Sequence, residues 1–161
     1  MKIRLPCGSI CIIDEEDYYL KNNFPHWRFT GGRVIITRYI KTDYGSLRQD
    51  VYLARAIVKP SRFWIVDHID RNPLNNRRSN LRLATNSENS RNRSKRENAS
   101  SKYFGVYFSN VKSSKPWRAR FCKSKNSKRK EKCFASEIDA AKAYDNHLDS
   151  IGDRFRPRNF L

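Results

Sequence analysis

The stretch from Phe63 to Asn89 admits few local folds. An apolar run, Phe63-Trp64-Ile65-Val66, suits a buried strand and ends on Asp67 and His68. Residues 70–80 are rich in Asn, Pro and Arg and poor in apolar side chains, which predicts an ordered loop. Leu81 to Ala84 can return as a second short strand. Thr85, followed three residues later by Glu88, then matches the T-x-x-E capping box, so a helix starts at Thr85 and Asn89 closes its first turn. The unit reads strand, loop, strand, helix.

Charge narrows the partner. The chain of 161 residues carries 34 Lys and Arg against 16 acids, a formal charge of +18. A domain so charged repels itself, and a polyanion that exchanges its counterions for these side chains relieves the repulsion. Nucleic acid is the first expectation. No segment approaches the roughly 20 apolar residues of a spanning helix, and the basic residues alternate in strands and loops rather than lining one amphipathic helix, so no membrane partner is expected. The first residues are too short in apolar content and too acidic afterwards for a signal peptide, which leads to the expectation of a soluble protein of the cytoplasm. Cys7, Cys11, Cys122 and Cys133 form no C-x-x-C pair and have no His at zinc-finger spacing, so free thiols are expected rather than structural zinc.

The organisation is α+β. Residues 1–60 alternate in strand fashion through Ile10, Ile12, Val34-Ile35-Ile36, Tyr39, Val51 and Leu53, broken by turns at Gly31-Gly32 and Asp43-Tyr44-Gly45, a β-rich N-terminal region. Its His26, beside Trp27, reads as a packing or surface residue. Residues 61–98 hold the strand–loop–strand–helix unit, whose end runs as an exposed helix into the polar stretch Ser90 to Lys102. Residues 99–161 predict a three-stranded antiparallel sheet, with strands over Tyr103 to Phe108, Trp117 to Lys123 and Lys128 to Phe134, backed by one helix. In the second strand Trp117, Ala119 and Phe121 face a core while Arg118, Arg120 and Cys122 face outward, and Lys128, Lys130 and Lys132 extend that cationic surface. Trp117 packs against the helix, which is capped at Ser136, carries Ile138, Ala141, Tyr144, Leu148 and Ile151 at helical spacing and stops at Gly152; His147 within it is structural.

The residue types around Asp67 suit phosphodiester hydrolysis, which needs a base for water, a hard cation on the phosphate and charge that positions the substrate. Asp67 and Asn89 offer oxygen ligands for one Mg²⁺ or Mn²⁺ ion, and His68, neutral near pH 7, can take a proton from water. Arg77, Arg78, Arg82, Arg91 and Arg93 lie around this segment as candidate phosphate clamps.

Residues 64–92 resemble the His-Asn-His (HNH) nucleases with a ββα-metal core, especially the homing endonucleases of phages and mobile elements. The resemblance implies that His68 is the general base, that Asp67 and Asn89 bind the metal, and that Asn80, in the segment SNLR, pins the loop through backbone hydrogen bonds. Leu53-Ala54-Arg55 stands where relatives show Leu-His-Arg, and Arg55 remains as a phosphate contact. The C-terminal segment resembles the DNA-binding domain of plant Apetala and ethylene-response factors through Gly105-Val106-Tyr107, Trp117-Arg118-Ala119-Arg120, Phe134, Ala140-Ala141, Ala143-Tyr144-Asp145 and Asn159-Phe160. That family lays its sheet in the DNA major groove, which would turn Tyr107, Arg118, Arg120, Lys128 and Lys130 toward DNA. The expectation is a metal-dependent endonuclease on double-stranded DNA, a monomer that nicks one strand unless two chains assemble. Its rivals are a non-catalytic duplex-binding protein that keeps the nuclease fold and an RNA-binding protein of ribosomal type.

Overall fold

The computed structural model describes residues 1–95, 97–121 and 130–160, and they form two compact units, Met1–Ser90 and Arg91–Leu161. Among these residues the fold is α+β, with four α-helices and several small antiparallel sheets. No helix among them is long and apolar enough to cross a membrane.

The first unit opens with a two-stranded sheet, β1 (Lys2–Arg4) and β2 (Ile10–Ile12), followed by the short helix α1 (Tyr19–Asn23). A three-stranded meander follows: β3 (His26–Thr30), β4 (Arg33–Thr42) and β5 (Gly45–Tyr52). Gly31 and Gly32 make the first reversal, both with positive φ, which glycine adopts without a Cβ penalty. His26 is exposed and sets its ring edge-on to Tyr39. Leu53, read from the sequence as the end of a strand alternation, instead starts helix α2 (Leu53–Val58) and is fully buried. Its neighbours explain the difference: Leu53 and Ile57 recur at helical spacing and both enter the core, which outweighs the period-2 pattern continued from β5. Pro60 then excludes further helix, after Lys59 has left it in a left-handed turn.

The strands β6 (Ile65–His68) and β7 (Leu81–Ala84) pair antiparallel, with Asp67 opposite Arg82 and His68 opposite Leu81. Helix α3 (Asn86–Asn89) packs on both. The buried strand expected from Phe63 onward is shorter. Phe63 is 79% exposed and Trp64 41%, because pairing begins only at Ile65. The helix also ends at Asn89, with Ser90 as its C-cap, rather than running on into the polar stretch.

One core serves the whole unit. Ile3, Leu5, Cys11, Ile13, Leu20, Trp27, Val34, Ile36, Leu53, Ile57 and Leu81 form a single buried cluster with Val66 and Leu74 against it. The loop after β6 is hydrogen-bonded to β2: the Ile12 amide donates to the Leu74 carbonyl at 2.8 Å and the Asn76 amide to the Ile12 carbonyl at 2.7 Å. The strand–loop–strand–helix segment therefore rests on the N-terminal strands.

In the second unit β8 (Val106–Phe108), β9 (Trp117–Phe121) and β10 (Lys130–Phe134) form an antiparallel sheet in the order β10-β9-β8. Helix α4 (Glu137–Ser150) backs it, and the Ser136 hydroxyl caps the helix by accepting from the amides of Ile138 and Asp139. Val106, Ala119, Phe121, Ala140, Ala141, Tyr144 and Leu148 make the core, with Trp117 and Phe134 packed against it. Ile138, expected on the buried stripe, is 47% exposed because it lies in the first turn. Cys122, Lys123, Lys128 and the turn expected at Ser124 to Ser127 lie outside the described residues.

Candidate active site

Asp67 and His68 are the last two residues of β6, so pleating turns their side chains to opposite faces. Asp67 is 7% exposed. A buried carboxylate needs a charged or hydrogen-bonding partner, and Arg82, directly across the ladder, supplies one: its Nε and Nη2 both reach Asp67 Oδ2, at 2.9 and 2.8 Å. Arg82 is thereby the immediate electrostatic neighbour of the carboxylate as well as a candidate phosphate contact. His68 is half-buried, and its Nε2 lies 3.2 Å from Asn76 Oδ1.

Asn80 organises the loop. Its Nδ2 donates to Asp70 Oδ1 at 2.8 Å and to the Asn75 carbonyl at 2.7 Å, while its Oδ1 accepts from the Asp70 amide at 3.0 Å. Asp70 also accepts from the Asn72 amide and from Asn75 Nδ2, and Asn72 in turn accepts from the Leu74 amide. A chain of Asx contacts thus replaces regular structure across the loop. Each of these Asn80 side-chain hydrogen bonds is made to the loop itself.

Asn89 is half-buried in α3, whose start is fixed by the reciprocal capping box: the Glu88 amide donates to Thr85 Oγ1, and the Thr85 amide donates to Glu88 Oε2. The strand carrying Asp67 and the helix carrying Asn89 pack on each other.

The arginines divide. Arg78 ties the loop to the N-terminal region. It pairs with the fully buried Asp17 at 2.6 Å and with Glu16 at 2.5 Å, and its amide donates to Asp14 Oδ2. Arg55 donates to the Trp64 carbonyl at 2.8 Å and so braces the turn that leads into β6. Arg77 is exposed. Arg91 and Arg93 belong to the second unit, where Arg91 sits 3.5 Å from the buried Asp153 carboxylate and Arg93 is exposed.

The sheet face of the second unit departs from expectation in one respect. Tyr107, Arg118 and Arg120 do share a face, since Tyr107 stands opposite Arg118 and Arg120 lies two residues on. Lys130 and Lys132, however, pair with Phe121 and Ala119, so the register puts them at the edge of the opposite, helix-backed face. The residue that joins the arginines is Glu131, opposite Arg120. It accepts from the Tyr107 hydroxyl at 2.7 Å, pairs with Arg120 at 3.2 Å and lies 3.6 Å from Arg118. The Tyr107 hydrogen bond, with help from the two guanidinium groups and against some desolvation, holds the Glu131 carboxyl below the usual range. Arg120 also stacks over the Tyr107 ring, 4.9 Å from its centroid.

Two residues of these sites escape sequence reading: Asn76, which meets the ring of His68, and Glu131. The only local signals are the doublet Asn75-Asn76 in a structured loop and a lone acid among Lys128 to Lys132.

Residues 60–91 match the model of a family described as HNH endonuclease. No curated protein and no solved structure matches the chain. The match lies over β6, the loop, β7 and α3.

Proposed function

We propose that this protein is a metal-dependent endonuclease of the HNH type that hydrolyses phosphodiester bonds in double-stranded DNA. The observation that carries the proposal is the arrangement within residues 60–91: an Asp-His pair ending β6, a loop closed by Asn80, and Asn89 held in a capped helix packed on that strand.

The donor set fits a hard divalent ion. Mg²⁺ takes oxygen ligands, keeps several waters and needs only one or two protein carboxylates. Asp67 and Asn89 would hold it, and among the described residues no group of three or more His, Cys, Asp or Glu competes as a metal cluster. Asp67 also carries the ion pair to Arg82, through Oδ2. When bound, Mg²⁺ or Mn²⁺ supplies Lewis acidity at the scissile phosphate.

The protein's own groups do the rest. His68 accepts a proton from water as the water oxygen forms its bond to phosphorus. The bond to the 3′ oxygen breaks, its electron pair stays on that oxygen, and a solvent proton completes the alcohol. Arg77, exposed beside the loop, and Arg82 offer positive charge to the phosphate oxygens. Asn80 keeps the loop closed under the site. In the second unit Tyr107, Arg118 and Arg120 form a DNA-facing surface of the Apetala type, and the whole chain is a homing-type enzyme that nicks one strand per binding event.

Supercoiled plasmid with Mg²⁺ tests the reading. Wild-type protein converts it to open circles, and His68→Ala slows the conversion by about 10²- to 10⁴-fold while duplex binding persists. Intact plasmid with full binding by the wild type would instead identify a non-catalytic clamp, a role to which Ala54 and the Asp67–Arg82 ion pair are suited.

A further inference from the structure

We infer that Asn76 is the positioning residue of the base: it holds the His68 ring with Nε2 protonated, so that Nδ1 is the nitrogen that receives the proton of the attacking water. The inference deepens the nuclease proposal and rests on it for the catalytic role, while the hold on the ring stands on geometry alone.

Hydrogen accounting fixes the orientation of the Asn76 amide. The side chain is 1% exposed, so each of its polar atoms needs a protein partner. Nδ2 carries two hydrogens; one goes to the Pro73 carbonyl at 2.9 Å and the other points at Cys11 Sγ at 3.6 Å. Burial pushes the Cys11 thiol up to about 11, against the small opposing effect of this hydrogen bond, so the sulfur is uncharged near neutral pH and serves as a weak acceptor. Turning the amide over would set Oδ1 against the Pro73 carbonyl, two acceptors with no hydrogen between them. Oδ1 therefore faces His68 Nε2, at 3.2 Å.

An amide oxygen only accepts. Nε2 must then be the donor, and a neutral imidazole has a single N–H, so the lone pair sits on Nδ1. This contact selects which ring nitrogen carries the hydrogen before substrate arrives.

Asn76 is itself fixed from outside the β6–α3 segment. Its amide donates to the Ile12 carbonyl at 2.7 Å, beside the bridge between Ile12 and Asn75, and its Nδ2 contact is to Cys11. The reference frame of the base is thus strand β2 as well as the motif that contains it. This gives the N-terminal strands a function in the site beyond packing.

Two readouts separate this inference from the nuclease proposal. In metal-free, ¹⁵N-labelled wild type the His68 ring should be in the Nε2–H form, with an Hε2 resonance protected from solvent exchange and an NOE to the Asn76 side chain. An Nδ1–H ring, or an Hε2 lost to exchange, overturns the inference whether or not the protein cuts DNA. In Asn76→Leu, similar in volume but without an acceptor, the Hε2 signal should vanish and kcat fall about 10- to 100-fold with KM for duplex unchanged. Asn76→Asp keeps an acceptor at that place and should retain the signal. A folded Leu variant with a protected Hε2 and wild-type kcat overturns the inference as well. Should that variant unfold, the wild-type resonance decides. Failure of the wild type to cut plasmid removes the nuclease proposal only, since the ring measurement needs no activity.

Discussion

Asp70, two residues beyond His68, has both carboxylate oxygens engaged by the loop: Oδ1 accepts from the Asn72 amide and Asn80 Nδ2, and Oδ2 from Asn75 Nδ2. Desolvation raises its pKa, but the hydrogen bonds from Asn75, Asn72 and Asn80 outweigh it and the net shift is downward. A carboxyl with a depressed folded pKa contributes stability above its unfolded value, about 3.9, and that contribution is lost as pH falls through the folded value. Asp70→Asn removes the titration, so its melting temperature should fall less steeply than that of the wild type between about pH 4 and pH 2. Circular dichroism melts across that window measure it, and equal slopes would show that Asp70 is not what holds the loop against acid. At this scale the placement of Asp67 and His68 at a strand end, of Asn80 in the loop and of Asn89 in a capped helix was legible, because they fall in order within one short stretch whose local structure is strongly signalled. Asn76 and Glu131 were not, because their partners, Cys11 and the β8–β9 face, come near only through long-range packing and strand register.

Among the elements, the capping box at Thr85 and the Ser136 cap could be placed from sequence since both depend on residues within one turn. Strand limits and faces could not. Phe63 and Trp64 look like strand interior but precede the first ladder pair, and Lys130 and Lys132 alternate correctly within β10 yet fall on the other side of the sheet from Arg118 once register is set. Gly105 shows how tightly the sheet and α4 fit. Its φ is +71°, and a Cβ there would lie 2.1 Å from the Tyr144 ring, which is itself buried in the core. Gly105→Ala should therefore combine a strained backbone with overpacking and cost the second unit about 2–4 kcal/mol. Gly31 has a similar φ of +56° but open space around it, so Gly31→Ala should cost only about 1 kcal/mol. Urea melts of the two variants compare them directly; equal losses would mean that backbone conformation alone, and not the contact with Tyr144, sets the penalty.

On the scale of the molecule, a charge of +18 spread over two compact units would make affinity for a polyanion such as DNA an electrostatic quantity. Much of that charge is already spoken for internally: Arg78 holds Asp17, Arg82 holds Asp67, Arg91 faces Asp153, and Glu131 lies among Arg118, Arg120 and Tyr107. The count of basic residues in the sequence therefore overstates the number of phosphate contacts, which is a reason to measure them. Each phosphate neutralised on duplex DNA releases counterions and contributes about −0.9 to the slope of log K against log salt. If the sheet face of the second unit lies on DNA, Arg118→Gln with Arg120→Gln should weaken binding and flatten that slope by about 2, one contact for each guanidinium. Titrations of the full chain with a labelled duplex at several salt concentrations give the slope. An unchanged slope would assign the two arginines to the Glu131 cluster alone and move the DNA surface to the first unit, where Arg77 is exposed beside the loop that carries the candidate active site.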